Sequence, residues 1–102
     1  MTRATPLLRE KIIDEEGNIV ELVIWKIPVT QQNPTGIRYR FAFIRRGEGQ
    51  PAVRYDNQHP KGHHRHLEGP EEPYSFTGVD RLLEDFLADV RQVVGDIRWP
   101  RL

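Results

Sequence analysis

Val79-Asp80-Arg81-Leu82-Leu83-Glu84-Asp85-Phe86-Leu87-Ala88-Asp89-Val90-Arg91-Gln92-Val93-Val94 is the stretch on which the fold turns. Val79, Leu82, Leu83, Phe86, Leu87, Val90 and Val94 fall at i, i+3, i+4, i+7, i+8, i+11 and i+15, the single apolar stripe of an amphipathic helix. Arg81, Glu84, Asp85, Asp89, Arg91 and Gln92 are assigned to its wet face. Thr77 followed by Asp80 resembles a capping box with Asp in the acidic position, and Gly95 is the expected stop. Such a stripe needs a surface to bury against, and the rest of the chain must provide it.

That surface reads as a sheet. Leu7 to Asp14 is half apolar, with Leu8 and Ile12 on one side and Leu7 and Ile13 on the other. Gly17 and Asn18 tolerate the positive φ of a turn after Asp14. Ile19 to Ile27 is apolar on both faces, Val20, Leu22 and Ile24 against Val23, Trp25 and Ile27, which predicts a central strand with Trp25 in the core. Pro28 ends it. In Arg38 to Arg46, Tyr39, Phe41 and Phe43 share one face and Arg38, Arg40, Ala42 and Ile44 the other, so the aromatics are expected under the helix. Gly47 to Pro51 turns the chain into a short strand, Ala52 to Asp56. Short connections favour neighbours in sequence as neighbours in space. The expected fold is therefore α+β: a four-stranded antiparallel meander with one long C-terminal helix packed on one face, a single domain over residues 1–102. The other face is expected to be wet, covered by the tail from Ile97 to Leu102 with Trp99, or paired with a partner, a homodimer included.

The 102 residues carry no cysteine, a formal net charge of zero, 37% hydrophobic and 29% charged residues. Disulfides and cysteine-ligated zinc are excluded. No stretch reaches the roughly 20 apolar residues of a membrane span. Met1 to Pro6 shows no apolar signal region, so a cytoplasmic location is expected and no membrane partner. The neutral total hides a basic middle: Arg38, Arg40, Arg45 and Arg46 without an acid, then Arg54, Lys61 and Arg65 against Asp56 alone. Arg38, Arg40, Arg54, Lys61 and Arg65 are candidates for contacting nucleic acid.

Tyr55-Asp56-Asn57-Gln58-His59-Pro60-Lys61-Gly62-His63-His64-Arg65-His66 holds all four histidines within eight positions. It is too polar for a core and reads as a long displayed loop, anchored before the helix by Tyr74 and Phe76. Three readings stay open. His64 and His66 are a general base and acid with Lys61 and Arg65 stabilising a charged transition state, as RNA cleavage through the ribose 2′-hydroxyl requires, without a cofactor. Alternatively His64 and His66 clamp a metal with help from His59 or Asp56. In the bland reading the segment is surface and Arg65 pairs with Asp56 or Glu68. In an extended segment, His64 and His66 share a face.

Glu21-Leu22-Val23-Ile24-Trp25, Arg54-Tyr55-Asp56-Asn57, Lys61-Gly62-His63-His64-Arg65-His66 and Pro73-Tyr74-Ser75-Phe76, in this order before an amphipathic helix, resemble the TumE family. These small bacterial and archaeal proteins are described as toxin components of toxin–antitoxin systems. The resemblance runs from about Asp14 to Val94. Members tend to show Tyr-Asp-Asn, a variable insert and then histidine, a basic residue and histidine, here His64, Arg65 and His66. His63 stands where relatives often have Asp, and His59 lies in the variable insert. The resemblance implies growth inhibition by attack on RNA or translation and neutralisation by a cognate antitoxin. Joined to the residue reading, it makes a metal-independent ribonuclease the leading expectation, with Tyr55 or Asp56 orienting the histidines. A nonenzymatic module occupying an RNA or protein surface is the alternative, and a metal-dependent nuclease or transferase the third.

Overall fold

The computed structural model describes residues 4–58 and 61–95. β1 (Thr5–Ile13), β2 (Ile19–Lys26), β3 (Ile37–Ile44), β4 (Val53–Asp56), β5 (His64–Leu67) and β6 (Glu72–Pro73) precede α1 (Val79–Val94). The strands form one sheet in chain order, each pair antiparallel. The α+β meander is as expected, but it has six strands where four were predicted. Both additional strands come from the polar segment read as a loop. Ladder hydrogen bonds to β4 hold β5 in the sheet without the apolar alternation by which strands are recognised.

Register sorts the side chains into two faces. Val20 opposes Phe43, Leu22 opposes Phe41 and Ile24 opposes Tyr39, while Phe41 and Phe43 oppose Tyr55 and Val53. This face meets the helix. Leu82, Phe86 and Val90 of α1 are fully buried on it, with Phe86 edge-on to Phe41 at 5.5 Å and to Tyr55 at 6.0 Å. Full burial of each such side chain contributes about 1.5–3 kcal/mol.

The other face is open. Across it run the rows Glu21–Ala42–Arg54–His66 and Val23–Arg40–Asp56–His64, with Trp25 beside Arg38. Trp25, expected in the core, is half-buried here, because it alternates with Ile24 on the strand.

The Thr77/Asp80 capping box does not form: Gly78, at φ 136°, is the N-cap and no side chain caps the helix. Gly95 closes it as expected, its N–H bonded to the Arg91 carbonyl at 2.7 Å with φ 76°. Asp89, assigned to the wet face, is buried. It lies seven residues after Leu82 and so belongs to the packed stripe. No helix among the described residues is long and apolar enough to cross a membrane. His59, Trp99 and the tail from Ile97 lie outside the described residues.

Candidate functional site

Tyr55-Asp56-Asn57 divides its three side chains among three tasks. Tyr55, fully buried on the helix face, donates from Oη to Asp89 Oδ2. Asp56 turns to the open face, where Oδ1 lies 2.8 Å from His64 Nε2. Asn57, past the end of β4, extends the pairing with β3 by side chain. Its Oδ1 accepts from Tyr39 N–H at 2.9 Å and its Nδ2 donates to the Ile37 carbonyl at 2.9 Å.

Alternation along β5 separates Arg65 from its neighbours. His64 and His66 share the open face with ring centroids 6.2 Å apart. Arg65 points to the helix side, where Nη1 donates to Asp89 Oδ2 at 3.1 Å and to Tyr55 Oη at 3.2 Å, and Nε bonds Glu72. Arg65 and Tyr55, expected beside the histidines, are therefore placed across the sheet from them. Burial, then the hydrogen bond to Asp89, pushes the Tyr55 hydroxyl above its ordinary range.

The two histidine rings are held differently. Nδ1 of His64 lies 2.8 Å from the Gly62 carbonyl, while Nε2 faces Asp56 Oδ1 at 2.8 Å and Glu71 Oε1 at 3.4 Å. Acceptors at both nitrogens are satisfied together by the doubly protonated ring. Nδ1 of His66 also faces a carbonyl, that of Gly69 at 3.2 Å. Its Nε2 has Arg54 Nη2 at 2.8 Å and Glu71 Oε1 at 3.0 Å. The neutral ring accepts from Arg54 and the protonated ring donates to Glu71, so His66 has a partner in either state.

Glu71 was not singled out by the sequence, where it stands in the acidic run from Glu68 to Glu72. The turn between β5 and β6 carries it over the histidines. The Lys61 ammonium, 2.9 Å from each carboxylate oxygen, and then His66 hold its carboxyl down to about 2. His64, His66 and Glu71 offer ligand atoms within 4.8 Å of one another, the spread of a possible cation site. His63 takes no part. It stacks on Phe76 at 4.9 Å and meets Tyr39 Oη through Nδ1 at 2.8 Å, and burial, then His64, lowers its pKa.

Around this cluster the open face forms a cleft of about 650 Å³. Val23 and Trp25 line it together with Arg38, Arg40, Arg54, Lys61, Asp56, His64 and Glu71. Lys61, Arg38, Arg40 and Arg54 are thus brought together as the basic candidates on one face, and Arg65 is not among them. Arg54 is tied to Asp56 and Glu71, and Arg40 lies 3.9 Å from Glu21. Arg38 forms no ion pair among the described residues. Basic groups, a half-buried indole and His64 in one concavity, with His66 beside it, can bind an anionic, base-bearing ligand and exchange protons with it.

A family model described as Toxin TumE matches residues 3–94. The chain belongs to the TumE family. No curated protein and no solved structure gives a significant match. As a TumE toxin the chain is the toxin component of a toxin–antitoxin system, and a cognate antitoxin is its implied partner.

Proposed function

We propose that this TumE toxin is a metal-independent ribonuclease that works at the open sheet face. The convergence of His64 Nε2 and His66 Nε2 on Glu71 Oε1, beside a cleft that His64 lines together with arginine and lysine, carries the reading. The neutral His66 ring, with its Nε2 lone pair, takes the proton from a ribose 2′-hydroxyl. The oxygen attacks the adjacent phosphorus, and the doubly protonated His64 ring gives its Nε2 proton to the departing 5′-oxygen. The products are a 2′,3′-cyclic phosphate and a 5′-hydroxyl, so the atoms and protons balance. Each histidine has to stand within about 3 Å of the oxygen it serves, and rings 6.2 Å apart suit a phosphate between them. Arg54 and Lys61 stabilise the phosphorane, Arg38 and Arg40 guide the flanking backbone, and Trp25 offers a stacking surface. Asp56 orients His64. Arg65, Tyr55 and Asp89 position β5 from behind.

Purified protein incubated with total RNA and defined tRNA and mRNA, with and without EDTA, tests this beside the His64→Ala/His66→Ala double variant. Discrete fragments from the wild type alone, insensitive to EDTA, are expected. Intact RNA in all lanes, with the fold verified, overturns it.

The ion pairs that saturate both histidines favour a second reading, a nonenzymatic module that blocks an RNA or protein surface. It requires stoichiometric toxin, leaves RNA uncut, and loses affinity gradually as histidines are replaced.

A further inference from the structure

One oxygen of Glu71 collects an unusual set of neighbours. Four nitrogens surround Oε1: Lys61 Nζ at 2.9 Å and Arg54 Nη2 at 3.4 Å as donors, and the Nε2 atoms of His66 at 3.0 Å and His64 at 3.4 Å, which donate when protonated. These come from β4, β5 and the loop between them, whereas Glu71 arrives from the far side, at the start of the β6 arm. Cationic nitrogen donors converging on one anionic oxygen are also what a phosphate oxygen attracts.

The same histidines and Glu71 also satisfy the spacing of a cation site. Lys61 and Arg54 decide between the two. Neither ligates a metal when charged, and both rest on the carboxylate that would have to serve the ion. Arg54 Nη2 is 2.8 Å from His66 Nε2, which leaves its charge against any dication bound at that nitrogen. A phosphate group keeps the Lys61 and Arg54 contacts that a metal ion would lose.

We propose that Glu71 Oε1 occupies the position of a non-bridging phosphate oxygen, so that Glu71 is an intramolecular competitor of the phosphate group this site binds. Binding exchanges one anion for another. The Lys61, Arg54 and His64 donors pass from the Glu71 carboxylate to the phosphate, His66 Nε2 is released from Glu71, and the β5–β6 turn swings Glu71 outward. Lys61 is well placed to follow, with 62% of its side chain exposed, while His64, at 8%, is the fixed wall of the subsite. Glu71 thereby restrains the resting toxin without any partner bound.

The inference rests on reading this face as the one that meets RNA, yet its test does not depend on cleavage. Inorganic phosphate is titrated into the wild type and Glu71→Gln, followed by the histidine ring nitrogen signals. The isosteric, neutral variant is expected to bind phosphate about tenfold more tightly, equivalent to about 1.4 kcal/mol. Lys61→Ala in the Glu71→Gln background should return the affinity toward that of the wild type. Equal affinities in two variants that melt as folded proteins overturn the proposal. So does zinc binding by the wild type that Glu71→Gln abolishes without any gain in phosphate affinity, since that outcome makes the cluster a metal site. Tighter phosphate binding with no RNA cut would sink the ribonuclease and leave the subsite standing.

Discussion

Arg65 stands between His64 and His66 along β5, yet its Nη1 lies 3.1 Å from Asp89 Oδ2 on the opposite side of the sheet. The strand that carries both histidines on the open face is thereby pinned to the helix through Arg65. Asp89 is 7% exposed and also accepts from Tyr55 Oη, so removing Arg65 leaves a buried carboxylate short of its cation.

Asp89→Ala and Arg65→Ala are each expected to destabilise the fold by about 3 kcal/mol, the low end for breaking a buried pair because Arg65 is partly exposed. Urea denaturation checks this. The midpoint should fall with the slope unchanged, and the double variant should cost less than the two single changes summed. A midpoint within experimental error of the wild type would show that the pair carries no stability.

His66→Ala should behave in the opposite way. His66 is partly exposed and its partners Arg54 and Glu71 retain each other and Lys61. The melting temperature should stay within a few degrees of the wild type, while growth arrest on induced expression is abolished. Arrest undiminished at equal protein level would remove His66 from the toxic mechanism.

How much of this was legible differs by element. β2, β3 and α1 declare themselves through apolar periodicity, which is why Tyr39, Phe41 and Phe43 could be set under the helix in advance. β5 hides because one of its two inward residues is Arg65, made compatible with partial burial by Tyr55, Glu72 and Asp89, the last from a helix 24 residues away. Asp89 itself was within reach, since its spacing from Leu82 places it on the stripe. Glu71 was not: nothing in Glu68 to Glu72 distinguishes it until the β5–β6 pairing brings it over the histidines. The open face was half legible, as β2 apolar on both sides already implied that Val23 and Trp25 had a surface to line.

All three tyrosines, Tyr39, Tyr55 and Tyr74, have hydroxyls raised above the ordinary value of 10.0, first by burial and then by neighbours such as Asp89 for Tyr55 and Asp85 for Tyr74. The folded state therefore keeps protons that the unfolded chain releases above about pH 10. Stability from this source is fully present below that pH and falls as pH rises beyond it. Tyrosinate absorbance near 295 nm should not follow an ordinary titration at about pH 10, but should rise together with loss of the far-ultraviolet circular dichroism. A smooth titration centred on 10 in protein that remains folded would contradict the burial of the three rings.

Trp25 and Arg38 oppose each other across β2 and β3 on the open face, both lining the cleft. If RNA lies across this face, the indole contributes stacking worth about 1–3 kcal/mol and the guanidinium a backbone contact that salt screens. Trp25→Ala should weaken binding of a labelled single-stranded RNA, measured by fluorescence anisotropy, by about 5- to 100-fold. Trp25→Phe should retain most of the affinity because a π-face survives. Arg38→Ala should lower affinity for all sequences alike and reduce the slope of log affinity against log salt by about one unit. The two changes separate stacking from charge: the indole loss should persist at high salt, where the arginine loss fades. Unchanged affinity in both variants would move the RNA off this face and leave its basic residues to the antitoxin.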